Sequence, residues 1–127
     1  MAESLTELIE DVIDIFNEID VTDLKLNVLA APPDKANERQ AWIEVVDYEQ
    51  TSYNIRTANL NAYFILGPIT SRHLYYPRGL KLMDAILEET KLAGEPVHWN
   101  FVRPTATEGS IGEYLAVQAT GYGMVDV

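Results

Sequence analysis

Two histidines, a short run of acids, two isolated serines and a glycine pair are the residues of this 127-residue chain whose types could do chemistry. His73 and His98 lie on different predicted elements, neither has an acid at a motif spacing, and no HExxH is present. Glu44, Asp47 and Glu49 could act as a carboxylate cluster. In an extended strand, however, Glu44 and Asp47 point to opposite faces, so they converge only if a bulge intervenes. Ser71 and Ser110 lack the glycines of the GxSxG elbow. Gly121-Tyr122-Gly123 and Gly109 match neither common phosphate-binding loop. The expectation is a protein with no catalytic residues, no metal and no cofactor: not an enzyme.

Charge is the strongest pattern. Residues 1–50 hold thirteen acids against Lys25, Lys35 and Arg39, which places −10 of the chain's −11 in that segment. An anionic surface repels phosphate backbones, which argues against tight nucleic-acid binding. It suits docking to basic partners, or lining a channel through which DNA passes without sticking. The length predicts one domain, 1–127, able to bury roughly two-thirds of its unfolded surface. With no cysteine, disulfide frameworks and thiolate metal sites are excluded, as fits a reducing compartment. The N-terminus MAESLTELIED is acidic where a secretory signal would be basic, and no apolar run approaches the ~20 residues of a membrane span. A chain made in the cytoplasm, with no membrane partner, is expected.

The elements that would position these residues follow from periodicity. Ser4-Leu5-Thr6-Glu7 reads as a capping box, with Ser4 accepting from the Glu7 amide and Glu7 returning the bond. Leu5, Leu8, Ile9, Val12, Ile13, Phe16 and Ile19 then recur at helical spacing over residues 4–19, with Glu10, Asp11, Asp14, Asn17 and Glu18 on the other face. Leu24, Leu26, Val28 and Ala30 alternate as a first strand. Residues 31–40 lack periodicity and carry Pro32 and Pro33 beside mixed charges, which predicts a protruding loop. A second strand covers 42–48 and a third 60–66, with 53–56 either a separate short strand or the bent start of the third.

Pro77 suits a first helical position and Gly94 a terminating one. Leu80, Met83, Ile86, Leu87 and Thr90 share a face between them, predicting a second helix over 77–92. Val97, Trp99 and Phe101 alternate with His98 and Asn100 in a strand, 104–112 reads as a turn or exposed loop, and 114–120 forms the last strand. Arg72, Arg78 and Lys81 make a small positive spot at the second helix, read as a counterweight to nearby acids. The seven tyrosines suit strand positions, chiefly in the core, and tyrosine also suits protein interfaces. The predicted class is α+β: a mainly antiparallel sheet of about five strands with two helices packed on one face, in the order helix, strands, helix, strands.

This profile resembles the tail terminator and related head–tail joining (neck) proteins of long-tailed bacteriophages. The resemblance runs through the helix Ser4–Ile13, strand, Pro-rich loop and strand, then the strand Asn61–Leu66, the helix Pro77–Leu87 and the terminal strand Tyr114–Ala119. It is one of architecture and size, covers nearly the whole chain and brings no site residue with it. It implies a ring, usually hexameric, that caps the tail tube and joins it to the head, with the sheet towards the bore and the helices outside. The implied partners are copies of itself, the tail tube protein and a head-side connector or stopper. DNA would pass through without specific binding, and the location would be the head–tail junction of the virion, assembled in the bacterial cytoplasm.

Within that reading the lumen-facing acids are taken as Glu44, Asp47 and Glu49. The inter-ring contact loop is taken as Pro32, Pro33, Asp34, Lys35, Glu38 and Arg39, with 104–112 as a second arm. Deleting residues 33–39 is then expected to leave a folded subunit that fails to join heads to tails. Three alternatives stay open: another neck ring (stopper or adaptor), a small acidic cellular module that binds a basic protein, and an enzyme whose pocket has no motif.

Overall fold

The computed structural model describes residues 2–19, 26–92 and 96–127. Helix α1 (Leu5–Glu18) starts where the sequence places it, with Ser4 in extended conformation accepting from the Glu7 amide at 3.1 Å. The return bond differs by one residue, since the Glu7 carboxylate accepts from the Glu3 amide at 3.4 Å. Leu8, Val12 and Phe16 are the buried stripe, and Glu7, Glu10, Asp11, Asp14 and Glu18 are exposed.

Strand β1 (Asn27–Val28) is short, and the expected positions Leu24 and Lys25 lie outside the described residues. It pairs parallel with the start of β2 (Gln40–Ser52). A two-residue turn at Tyr53–Asn54 leads into β3 (Ile55–Pro68), so residues 55 and 56 belong to one continuous third strand. After a 3₁₀ turn at Ile69–Ser71 comes α2 (Arg72–Leu92), and then the hairpin of β4 (Val97–Gly109) and β5 (Gly112–Asp126). The sheet order is β1-β2-β3-β5-β4, with every pairing after the first antiparallel. Among the described residues the fold is α+β with a five-stranded mixed sheet and two helices. Alternation marks a strand without marking its direction, which is why the parallel β1 was not foreseen.

Both helices cover the same face. Leu8, Val12 and Phe16 of α1 and Leu82 and Ile86 of α2 share one core with Ala58, Leu60, Ala62, Phe64 and Leu66 of β3. Leu115, Val117, Ala119 and Val125 of β5 complete that core. Phe16 meets Phe64 edge-on at 4.8 Å and stacks on Trp99 at 5.7 Å, contacts worth about 0.5–1.5 kcal/mol each beyond their burial. Small residues let α1 sit close: a Cβ on Gly123 would meet the Leu8 side chain at 2.8 Å.

Three sequence expectations are corrected. Residues 31–39 do not protrude. Ala36 is buried with Trp42, Ile65, Tyr114 and Ala116 on the helix-free face, and bridges to Gly109. The Ser110 amide donates to the Ala36 carbonyl at 2.9 Å, and the Arg39 amide donates to Ile65 at 3.0 Å. Nor is 104–112 a loop, because β4 continues through Pro104 to a tight turn at Ser110–Ile111. Pro104 is tolerated because β4 is an edge strand, where a missing N–H breaks no inner ladder. Finally, α2 begins five residues before Pro77, which lies inside the helix. Gly94 lies outside the described residues, as does the side chain of Thr90.

Candidate functional site

The helix-free face of the sheet is where the singled-out acids meet. On β3 the buried core residues are even-numbered, so Thr57, Asn59, Asn61 and Tyr63 point away from the helices. Directly paired residues share a face, and Glu44 pairs with Asn61. A register shift between Val45 and Asp47 then makes Val46 an extra, bulged residue. Beyond it Asp47 pairs with Asn59 and Glu49 with Thr57. The bulge therefore turns Glu44, Asp47 and Glu49 onto one face, the condition under which the sequence allowed them to converge. All three are exposed, and Asn59 Nδ2 donates to Asp47 Oδ1.

Register extends the face across the other strands. One row is Trp42, Tyr63, Gln118 and Arg103, the next Glu44, Asn61, Thr120 and Phe101, and a third Asp47, Asn59, Tyr122 and His98. Thr120 Oγ1 donates to Asn61 Oδ1 at 2.9 Å, and Arg103 donates to Gln118 Oε1 at 3.3 Å. The Trp42 and Tyr63 rings stack at 5.5 Å, those of His98 and Tyr122 approach at 5.4 Å, and the Arg103 guanidinium lies 5.8 Å from the Phe101 ring. Burial, and after it Glu44, push the Tyr63 phenol above its ordinary 10.0, against the hydrogen bond from Asn61 and the charge of Arg103. Acids thus line the β2 side of the face, and Arg103 and His98 the β4 side.

A second bulge corrects the reading of β4. The register shifts between Trp99 and Phe101, so Trp99 enters the core while Phe101 turns outward beside His98 and Arg103. Alternation alone had placed Val97, Trp99 and Phe101 together. The Asn59, Asn61, Gln118 and Thr120 ladder was also missed as part of the site. Its signal was present, since Asn59 and Asn61 flank Leu60 in a strand that otherwise reads as apolar.

The remaining candidates stay apart. His73 is exposed on α2, and His98 is on β4. The Ser110 hydroxyl donates to Asn37 Oδ1, which ties the β4–β5 turn to the docked loop. Among the described residues no three acids or histidines gather as a metal-ligating group. Arg72 donates to the Ile69 carbonyl at 3.5 Å, and Arg78 sits over the Tyr75 ring at 5.6 Å. A shallow apolar crevice is lined by Leu66, Tyr76, Gly79, Met83, Pro104 and Leu115. Tyr114 is core, as expected for the tyrosines, but Tyr53 at the β2–β3 tip is 97% exposed, and Tyr76 is also exposed. Of the expected contact loop, Asp34, Lys35, Glu38 and Arg39 are exposed around buried Ala36. No helix among the described residues is long and apolar enough to cross a membrane. No family model matches the chain, and no curated protein matches it in sequence.

Proposed function

We propose that this chain is a structural subunit of a bacteriophage neck, a tail terminator that forms a ring, closes the tail tube and joins it to the head. The observation that supports it best is the acid-bearing, helix-free face of a sheet whose other face packs against both helices. With that face towards the bore, each subunit presents Glu44, Asp47 and Glu49 to the lumen. A ring of such groups repels the phosphates of passing DNA over roughly a Debye length, ~8–10 Å. The exposed charges of the docked loop, Lys35, Glu38 and Arg39, stand at the end of the sheet opposite the Tyr53 tip, as contacts to the next ring. The ring, its hexameric count, its tail tube and head-side partners and its place in the virion all belong to this proposal.

Two measurements on particles test it. Particles made without the protein should show headless tails of uncontrolled length by negative-stain microscopy. Tails of normal length would point to a stopper or adaptor instead. With Glu49→Lys, heads should still join tails while DNA ejection slows. Unchanged ejection would remove Glu49 from the lumen.

A further inference from the structure

A ring of identical subunits needs two different surfaces on opposite sides of the subunit that fit one another. The two edges of the sheet supply them. β1 covers β2 at Gln40 and Ala41, leaving the outer edge from Trp42 to Ser52 without a strand among the described residues. β4 is the opposite edge, bridged by Ala36 at its last residue, Gly109. Strand direction alternates through β2, β3, β5 and β4. A rotated copy of the same orientation therefore brings its β2 antiparallel to β4 of its neighbour, and the alternation continues across the boundary.

The side chains at the two edges match in both charge and polarity. The β2 edge carries Glu44, Asp47 and Glu49 on the helix-free face, with Val45 and Val46 exposed. The β4 edge carries Arg103, His98 and exposed Phe101 on that same face. Exposed Tyr76 and Leu80 lie on the flank of α2 beside it, where Tyr76 and Met83 approach Pro104. Within the subunit Arg103 meets Gln118 and the Phe101 ring, both neutral. If the rows run into the next copy without slip, Glu44 falls beside Phe101 and diagonal to Arg103, and Asp47 falls beside His98. Diagonal neighbours are about 7–8 Å apart at the backbone, within an arginine's reach.

We propose that the free edge of β2 in one copy docks head to tail against β4 of the next, with Glu44 meeting Arg103. This rests on the ring reading above and names the contact that closes the ring. Bulges at Val46 and Asn100, and Pro104, make both edges irregular, which disfavours indiscriminate strand addition and leaves side chains to select the partner. Glu44 and Asp47 stay on the bore-side face but are partly neutralised by the contact, and Glu49 keeps its charge towards the bore.

Charge reversal tests the pairing. Glu44→Lys and Arg103→Glu should each weaken self-association about tenfold or more, read by light scattering after size exclusion. Mixed in equal amounts, the two variants should assemble again, because each supplies the edge that the other now lacks. The absence of native cysteine permits a second readout. A chain carrying both Asp47→Cys and His98→Cys, which the unslipped register places side by side, should oxidise into a ladder of covalent multimers, whereas either substitution alone should stop at dimers. Rescue on mixing together with the ladder supports the contact. Single variants that associate like wild type, or a double-cysteine chain that gives no ladder, overturn it. If wild type forms rings in that case, the ring reading stands and this contact falls. If wild type stays monomeric, alone and with tail tubes, both fall.

Discussion

Gly121 pairs with Trp99 at the point where β4 bulges, and a Cβ there would overlap the His98 carbonyl oxygen and crowd the Trp99 ring. Backbone on one side and a core aromatic on the other leave little room to adjust. Gly121→Ala should therefore cost about 1–3 kcal/mol, read as a lower urea midpoint with an unchanged slope. Tyr63 gives a prediction in pH. Burial and Glu44 raise its folded pKa, so it stays neutral when the unfolded tyrosine ionises near 10. The unfolded state then binds fewer protons, and stability falls as pH rises from about 10 through the folded value. Tyr63→Phe should show a shallower loss of urea midpoint between about pH 9 and 11; an identical slope in both proteins would show that the phenol is solvated. The sequence showed which residues carry charge but not that Val46 is a bulge. A bulge is set by how two strands close on each other, and no residue type at 44–47 announces it. Gly121 and Gly123 were visible as glycines, yet their reason, the close approach of β4 and Leu8, lies in distant parts of the chain.

α1 was readable almost to the residue because its signals are local: a cap three residues from its partner and an apolar stripe in each turn. What it packs against was not local. Phe16 reaches Phe64 of β3 and Trp99 of β4, joining helix, central strand and edge strand. Phe16→Ala should cost about 3–5 kcal/mol and expose the Trp99 indole, followed as a red shift in fluorescence along with the urea midpoint. A loss below about 1 kcal/mol would mean that α1 is not seated on the sheet as described. The elements misread are those where proline served as punctuation. Pro77 was given the helix start, and Pro104 the end of a strand, although α2 contains one and edge strand β4 the other. On edge strand β4 the missing N–H of Pro104 breaks no inner ladder, whereas Pro77 stands just past the first turn of α2 and the helix runs on without that one bond. The docked loop reverses one expectation outright. Because Ala36 covers Trp42, Ile65, Tyr114 and Ala116, deleting residues 33–39 would uncover a small core. Changing the exposed Lys35, Glu38 and Arg39 to alanine isolates their contact role without that damage.

At the scale of the whole molecule the excess of acid becomes a property of stability. Of the formal charge of −11, −10 belongs to residues 1–50, and folding gathers much of it on one helix. Along α1 the exposed pairs Glu7–Asp11, Glu10–Asp14 and Asp14–Glu18 stand four residues apart with like charge. Each such pair opposes the helix by about 0.2–0.5 kcal/mol at low salt. An unfolded chain spreads the same charges further apart, so the repulsion weighs more on the folded state. Raising sodium chloride from about 10 mM to about 1 M shortens the Debye length from ~30 Å to ~3 Å and should relieve most of it. The expected gain is about 1 kcal/mol, appearing as a rise of the urea midpoint with salt. Chloride is the suitable anion, because sulfate also strengthens apolar burial and would confound the reading. Replacing Asp11 and Asp14 by asparagine should raise the midpoint at low salt and flatten its salt dependence. A midpoint that falls with added chloride would mean that attractive pairs outweigh the acidic excess. The field ascribed to the bore would then be largely cancelled on the subunit itself.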